Sequence, residues 1–194
     1  MLYSREYISY VSREAVARLA KEQIKLGSPE IVVEKVREAM TNELAAEDKL
    51  NEEVRTLLER YAGEMRETGA SYQESFKRVK RQLMKEQGVV PAAGRDSGEG
   101  SRISRDKVVK LSHVLVNTLA NLRKEVELRF EKNDVRLEII HLLTALFREE
   151  EKIDRAVRQK ILSQKRVITE GGQEWDILYR KYYSEEMKKK LGRA

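Results

Sequence analysis

The chain has 194 residues, of which 40% are hydrophobic and 37% are charged, and it contains no cysteine. The lack of cysteine excludes a disulfide scaffold, a cysteine-ligated zinc or iron–sulfur site and a thiol nucleophile. Lys and Arg number 39 against 33 Asp and Glu, which gives a net charge of +6. Two prolines and ten glycines are too few for the turns of an all-β chain, so the composition predicts a helical protein.

The positive charge lies in the second half of the sequence. Residues 1–100 hold 17 Lys and Arg against 18 Asp and Glu, whereas residues 101–194 hold 22 against 15. The first residues include Arg5 and Glu6 where a secretory signal needs an apolar run, and no apolar stretch approaches the roughly 18 residues of a spanning helix. We therefore expect a cytoplasmic protein without a membrane partner.

A segment poor in apolar periodicity divides the chain near its middle. Residues 88–101 contain four of the ten glycines and one of the two prolines. Such a segment cannot continue a helix and has little to bury, which predicts a flexible Gly/Pro/Ser linker. The expected organisation is a first helical copy over residues 1–88, a linker over 89–101 and a second helical copy over 102–194.

The two regions are similar to each other, which predicts a tandem duplication of one helical unit. A shift of 100 residues aligns identical side chains near each start, and a shift of 103 aligns others further on. The apolar register repeats as well: Val36, Met40, Leu44, Leu50, Val54, Leu58, Met65, Tyr72 and Phe76 match Ile139, Leu143, Phe147, Ile153, Val157, Ile161, Ile168, Trp175 and Tyr179. The same pattern of buried apolar positions is therefore predicted in both halves of the chain.

Each copy is predicted to contain three helices, of which the first and third have clear end signals. The first helix follows a serine N-cap, Ser4 or Ser104, and Gly27 ends it in copy one. The third helix opens in copy one with a capping box that begins at Ser71, and its counterpart covers about residues 174–191. The fold class predicted from these signals is all-α, with two homologous three-helix modules.

The second helix of each copy is expected to be long. It covers about residues 29–61 in copy one and 134–165 in copy two, with a break near Glu47 or Glu150 where the apolar interval lengthens. Residues 126–130 alternate apolar and charged side chains, so a short extended piece is an alternative there.

Catalytic and metal-binding motifs are not found. His113 and His141 are the only histidines, and the pair Glu138 and His141 has no second pair to complete a carboxylate-bridged metal site. The sequence has no glycine-rich phosphate loop and no GxSxG motif. We expect no cofactor and no metal, and an enzymatic role has no support from a motif.

A polar strip recurs on the second helix of both copies. Glu150, Asp154 and Arg158 are spaced by four residues, as are Glu47, Asn51 and Arg55, so each trio can lie along one side of a helix. Together with His113 and Asp176, the trio of copy two forms a candidate polar site with an orienting arginine. The alternative interpretation is a salt-bridged strip at the edge of the core.

The third helix of copy two is rich in aromatic and basic side chains. Trp175, Tyr179 and Tyr182 fall on one stripe, which is typical of core packing, and Tyr183 is predicted to lie off it. Aromatic rings beside cations can stack on nucleic-acid bases and neutralise phosphates. The predicted binding residues, for RNA, DNA or an acidic protein, are Lys165, Arg166, Arg180, Lys181 and Tyr183. The alternative is a solvated basic face on a packed helix.

Several ordered blocks of copy two resemble a known family. Residues 104–108, 111–113, 153–166 and 174–183 are similar to the signature blocks of a bacterial family catalogued as domain of unknown function number five hundred and seven. The resemblance covers residues 102–192, and copy one is a degraded version of it. It implies a helical fold, bacterial origin and cytoplasmic residence, and it supplies no catalytic residue.

These observations favour a non-catalytic binding module in which copy two presents a basic aromatic surface to nucleic acid or to an acidic protein. One alternative is a scaffold or oligomerisation protein, including a homodimer, that recruits a partner through apolar helix faces. A third is an enzyme of unknown class, which would require His113 and Asp176 or the Glu150 strip to converge in a pocket.

Overall fold

The computed structural model describes residues 3–92, 102–164, 166 and 168–191, and over these ranges the chain is mostly helical. The elements in chain order are α1 (Arg5–Glu22), β1 (Ile24–Leu26), α2 (Pro29–Arg60), α3 (Ala62–Thr68), α4 (Tyr72–Gln87), α5 (Arg105–Asn121), β2 (Val126–Leu128), α6 (Lys132–Leu162) and α7 (Gln173–Leu191). Both long helices, α2 and α6, are continuous, so the predicted break near Glu47 or Glu150 was wrong. No helix of the described ranges combines the length and apolar content that crossing a bilayer requires.

The predicted serine caps of α1 and α5 are confirmed. The Ser4 hydroxyl accepts a hydrogen bond from the backbone N–H of Tyr7 at 3.1 Å, and the Ser104 hydroxyl accepts one from Lys107 at 3.1 Å. Each bond satisfies a backbone donor that the first helical turn leaves without a partner. Ser71 precedes α4 as predicted, but its side chain makes no capping bond.

Two three-residue strands join the halves of the chain. β1 pairs antiparallel with β2, with Lys25 opposite Glu127 at the centre and an ion pair of 3.4 Å between their side chains. The extended alternative for residues 126–130 is therefore confirmed over β2, whereas β1 was not predicted. Gly27 follows β1 where a Cβ would lie 3.3 Å from the carbonyl oxygen of Lys124, so the close approach of the two backbones favours glycine there.

The helices of the two halves cross over each other. α1 packs on α2 of its own half and also on α6, while α5 packs on α6 and also on α2. Buried side chains from both halves form one continuous apolar cluster. Because each first helix contacts the second helix of the other half, the halves share a core instead of forming two separate ones.

Two buried side chains make corresponding contacts across this crossing. Tyr7 of α1 donates its hydroxyl proton to the backbone carbonyl of Leu146 in α6 at 2.6 Å. Lys107 of α5 donates to the backbone carbonyl of Glu43 in α2 at 2.8 Å and to the carboxylate of the same residue at 2.7 Å. Tyr7 and Lys107 each lie three residues after the capping serine of their helix.

The start of the predicted linker is held in place by hydrogen bonds. Residues 89–92 are partly buried, and the Ala92 N–H donates to the Glu47 carboxylate at 2.9 Å. The Ala92 carbonyl accepts from the Ser104 N–H at 2.5 Å, and the Pro91 carbonyl accepts from the Ser104 hydroxyl at 3.1 Å. The remainder of the predicted linker, residues 93–101, lies outside the described residues.

Candidate functional site

A pocket of about 590 Å³ lies between α6, α7 and the segment that precedes α1. We call it the Glu150 pocket; its walls include Tyr3, Ser4, Arg102, Glu150, Tyr183 and Ser184. α6 supplies Glu150, α7 supplies Tyr183 and Ser184, and Tyr3 and Arg102 come from the two segments just before the capping serines. The site thus depends on the crossing of the two halves.

Glu150 is completely buried, and only one of its two carboxylate oxygens has hydrogen-bond donors among the described residues. One carboxylate oxygen, Oε1, accepts hydrogen bonds from Arg102 Nη1 at 2.8 Å and from the Tyr183 hydroxyl at 3.0 Å. The other, Oε2, is buried without a hydrogen-bond donor among the described residues. Burial raises the pKa of Glu150, and the charge of Arg102 and the hydrogen bond from Tyr183 only partly oppose this effect.

Asp154 continues the site one turn further along α6. Its Oδ1 accepts a hydrogen bond from the Tyr179 hydroxyl and lies 3.6 Å from Arg102 Nη1. Its Oδ2 accepts from Arg158 Nε at 2.7 Å. Asp154 and Arg158 thus extend the charged chain of Glu150 and Arg102 along α6 without lining the pocket themselves, and Asp154 has donors on both oxygens.

Aromatic rings form the walls around these charges. Tyr3 stacks on Phe147 with ring centroids 4.9 Å apart, and the Arg102 guanidinium lies 5.4 Å from the Tyr3 centroid. Tyr179 stacks on Tyr183 at 5.7 Å. The Tyr3 hydroxyl is buried without a hydrogen-bond partner in the described part of the chain. Burial raises the pKa of these tyrosines, so they remain protonated donors at neutral pH.

Of the predicted binding residues, only Arg180 and Tyr183 line the Glu150 pocket. Tyr183 is only 9% exposed and bonds to Glu150, so its predicted position off the packing stripe was wrong. The stripe on α7 repeats every four residues instead, through Trp175, Tyr179, Tyr183 and Met187.

The other predicted binding residues lie away from the pocket. Arg166 is exposed and forms an ion pair with Glu174. Lys181 is exposed on α7 and does not line the pocket. Lys165 lies outside the described residues.

The structure brings together three of the five residues of the predicted polar site. Glu150, Asp154 and Arg158 lie along one side of α6, linked through Arg102 and the Asp154–Arg158 ion pair. His113 on α5 and Asp176 on α7 are exposed, and neither lines the pocket. Those two residues therefore do not converge with the carboxylates.

Eight residues that line the pocket were not among the predicted site residues: Tyr3, Ser4, Glu6, Arg102, Tyr179, Ser184, Met187 and Lys188. Of these, Tyr3, Ser4 and Arg102 belong to the short segments just before α1 and α5, far in sequence from α6 and α7. The only signal available was that each segment precedes a capping serine.

The pocket combines apolar walls with a few buried polar groups. Its exposed wall is mainly apolar, with a buried carboxylate oxygen and a buried hydroxyl that both lack partners among the described residues. Ligand sites commonly combine apolar walls with a few such polar groups. Within the described ranges, no three His, Asp or Glu side chains are grouped so that they could hold a metal ion.

Comparison with known proteins assigns the family. A search of curated proteins finds no match. The model of a family described as "Protein of unknown function (DUF507)" matches residues 1–192, which is nearly the whole chain. Both halves of the molecule, including every residue that lines the Glu150 pocket, therefore lie within one family unit. The chain belongs to the DUF507 family.

Proposed function

We propose that this protein is a non-catalytic binding protein of the bacterial cytoplasm that recognises an acidic polypeptide partner at the Glu150 pocket. The proposal includes a tandem duplication, with a first copy over residues 1–88, a linker over 89–101 and a second copy over 102–194. The observation that carries it is a difference between two corresponding carboxylates: among the described residues, Glu47 has hydrogen-bond donors on both oxygens, whereas Glu150 has donors on one and lines a pocket.

Corresponding contacts support the duplication. Ser4 and Ser104 cap their helices in the same way, and Tyr7 and Lys107 reach a backbone carbonyl of the opposite half at matching positions, Leu146 and Glu43. β1 and β2 have the same order of buried, exposed and half-buried residues. The antiparallel pairing of β1 with β2, centred on Lys25 and Glu127, is the arrangement expected if a twofold axis relates the two copies.

The equivalent carboxylates differ in what surrounds them. Glu47 of α2 corresponds to Glu150 of α6, and Lys80 of α4 corresponds to Tyr183 of α7. Glu47 accepts from Lys80 Nζ at 2.8 Å on one oxygen and from the Ala92 N–H at 2.9 Å on the other. At Glu150 the second oxygen has no donor among the described residues, and the residue lines a pocket. Over the described parts of the chain, the first carboxylate is therefore fully paired and the second is not, and we take the pocket beside the second as the place where a partner binds.

Basic residues at the pocket favour an acidic partner. Arg180 and Lys188 are exposed, line the pocket, and have no ion-pair partner in the described parts of the chain. Neighbouring cations are already paired, Lys189 with Glu186 and Lys190 with Glu149. A partner that brings carboxylates to Arg180 and Lys188 gains charge pairing that the already paired Lys189 and Lys190 cannot offer.

A polypeptide is favoured over nucleic acid because of where the aromatic rings lie. Stacking on bases requires an accessible ring face beside the cations. Tyr183 and Trp175 are buried in the contact between α6 and α7, and Arg166 is paired with Glu174. The basic aromatic surface expected from the sequence therefore lacks Tyr183, the one ring that it was predicted to present.

Photo-crosslinking at the edge of the pocket tests the proposal. A photoreactive amino acid replaces Ser184, which is exposed and lines the pocket, and the protein is irradiated in the native lysate. We expect crosslinks to a polypeptide that are lost in the variant Arg180→Glu/Lys188→Glu. The matched control is Lys77→Glu/Lys85→Glu, which reverses the two equivalent exposed lysines of α4 and should leave the crosslinks unchanged.

Two results would contradict the proposal. Nuclease-sensitive crosslinks would show that the partner is nucleic acid. Crosslinks that persist after charge reversal at Arg180 and Lys188, or that disappear equally in the α4 control, would show that the basic edge of the pocket does not select the partner.

A further inference from the structure

We infer that a surface groove between α2 and α4 binds single-stranded nucleic acid, with the ring of Tyr72 stacking on a base and the neighbouring cations contacting phosphates. We call it the Tyr72 groove; its volume is about 450 Å³, and it is lined by Arg55, Tyr72, Gln73, Phe76 and Lys77. The inference goes beyond the proposed function, because none of these residues lines the Glu150 pocket. It therefore stands or falls independently of the acidic partner.

The ring of Tyr72 is accessible at this groove. Its side chain is 49% exposed, and it lies one turn before Phe76, whose ring centroid is 6.3 Å away. Phe76 packs against the small apolar cluster of α2. Tyr72 is thus held at the end of this cluster while about half of its surface faces solvent. A ring in this position can stack on a base of any sequence, because every base has a π-face.

Cations lie beside the ring. Lys77 lines the groove, is exposed, and has no ion-pair partner among the described residues. Arg81 is exposed one turn further along α4 and is likewise unpaired within the described ranges. Arg55 of α2 pairs with Glu52 at 3.0 Å, and both side chains are exposed, so this weak pair is easily exchanged for a phosphate. Since α4 as a whole holds five Lys and Arg against two Glu, its charge is complementary to a phosphate backbone.

The corresponding place in the second half is closed by described residues. Under the proposed duplication, Trp175 corresponds to Tyr72 and Arg158 to Arg55. Trp175 is only 4% exposed, and Arg158 forms an ion pair with Glu170. The ring of the second half is therefore covered, and its arginine is engaged. The accessible ring beside cations that the sequence predicted for α7 is found on α4 instead.

A single strand fits these features better than an acidic peptide or a duplex does. A carboxylate could pair with Lys77 or Arg81, but it would leave the exposed ring of Tyr72 without a partner. A duplex keeps its bases stacked on each other, so none of them can lie on the ring. Single-stranded RNA and DNA both supply an accessible base face together with phosphates. The chemistry that the groove recognises is shared by these two kinds of strand.

Fluorescence anisotropy of the full chain with labelled strands of about twelve nucleotides, one of RNA and one of DNA, tests the inference. We expect binding at low salt, with an affinity about twentyfold lower at about 200 mM than at about 50 mM salt, since contacts with about three phosphates give this dependence. A strand of the same length made of abasic units should bind at least about fivefold more weakly, because it keeps the phosphates but offers no base. The tighter of the RNA and DNA strands identifies the source.

Variants of the tyrosine locate the stacking contact. Tyr72→Ala should weaken binding of the normal strand at least about fivefold and leave binding of the abasic strand unchanged. Tyr72→Phe keeps the ring and should retain the affinity. Tyr61→Ala is the matched control, since Tyr61 is 53% exposed but does not line the groove, and it should bind both strands as the parent does.

Variants of the cations locate the phosphate contacts. Lys77→Ala/Arg81→Ala should weaken binding of the normal and the abasic strand alike and should reduce the salt dependence. Arg180→Ala/Lys188→Ala is the matched control, because it removes two exposed cations at the Glu150 pocket instead, and it should change neither quantity.

The inference is overturned if no strand binds at low salt, or if the parent protein binds the abasic strand as tightly as the normal one, a comparison that needs no variant. It also fails if a duplex binds as tightly as a single strand and Tyr72→Ala has no effect, since the attraction would then be that of any basic helix. A polyglutamate peptide whose binding is lost in Tyr72→Ala would make an acidic polypeptide the occupant and reject it too. Absence of strand binding beside charge-dependent crosslinks at Ser184 leaves the proposed function standing, and strand binding without those crosslinks rejects only the acidic partner.

Discussion

At the scale of single residues, Glu47 and Glu150 show how a neighbour sets the pKa of a buried carboxylate. Burial raises the pKa of both. At Glu47 the hydrogen bonds from Lys80 and Ala92 outweigh burial, and the net pKa is lowered from its ordinary value of 4.5. At Glu150 burial outweighs Arg102 and Tyr183, and the net pKa is raised. The pKa values of these two carboxylates are therefore shifted in opposite directions.

The two carboxylates should affect stability with opposite signs. A raised pKa in the fold means that the ionised form costs stability, so Glu150→Gln should raise the melting temperature at pH 7, and the gain should shrink as the pH falls toward 4.5. Glu47→Gln should lower it at pH 7, and the loss should fade as the pH falls below 4.5. Thermal unfolding of both variants and the parent from pH 4 to pH 8 measures this; shifts of a few degrees are expected, since 1 kcal/mol moves the melting temperature by about 2–4 °C. If both substitutions changed the melting temperature at pH 7 in the same direction, the prediction would be contradicted.

Residue spacing predicted part of the site. Glu150, Asp154 and Arg158 were found from their spacing of four, because that spacing alone places side chains on one side of a helix. The burial of Tyr183 was missed because Tyr182 and Tyr183 are both compatible with helical packing after Tyr179. Only the packing of α7 against α6 decides which of the two tyrosines is buried. Tyr3 and Arg102 could not be found at all, since their place in the pocket depends on contacts between distant segments.

At the scale of elements, α4 and α7, which the proposed duplication makes counterparts, differ in how much of their surface is buried. α7 buries Trp175, Tyr183 and Met187, whereas α4 buries no side chain completely. Tyr72, which corresponds to Trp175, is 49% exposed, against 4% for the tryptophan. α4 rests on a small separate cluster formed by Leu50, Val54 and Leu58 of α2. The helix beside the candidate site is thus the more firmly held one.

Hydrogen exchange should detect this difference. We expect the amides of α4 to exchange at least tenfold faster than those of α7, because fewer buried contacts must break to open α4. Trp175→Ala should remove most of the protection of α7 and cost about 3–5 kcal/mol of unfolding free energy. Tyr72→Ala, the same truncation at the exposed counterpart, should cost less than about 1 kcal/mol. Equal protection of α4 and α7 in the parent protein would contradict the argument.

The longer helices were predictable from their apolar period, and Ser4, Ser104 and Pro29 mark starts that the structure shares. The prediction of three helices for the first half was wrong, because the short helix α3 buries no side chain and so leaves no apolar pattern to find. The strands are too short for a period to appear. Val126, Glu127 and Leu128 alternate visibly, but Ile24 to Leu26 looked like the end of the first helix before Gly27. Pairing between β1 and β2 joins residues about one hundred positions apart, and no local pattern encodes such a contact.

At the scale of the molecule, the crossing of the halves makes each dependent on the other. α1 covers part of α6, and α5 covers part of α2. Lys107 illustrates the dependence, since it is fully buried and its ammonium group is satisfied only by Glu43 of the other half. A lysine buried in this way without its partner would be strongly destabilising.

Separate expression of the two halves tests that dependence. Residues 1–92 and residues 102–194, each alone, should show no cooperative thermal transition as a monomer, because removing the other half exposes the apolar faces of α1 and α2 or of α5 and α6. Circular dichroism melting with light scattering measures this, and mixing the halves should restore one cooperative transition in a one-to-one complex. Two halves that each melt cooperatively as monomers would instead establish independent modules. The shared core predicts the first result: Tyr7 needs the Leu146 carbonyl and Lys107 the Glu43 carboxylate, and each isolated half contains only one member of either pair.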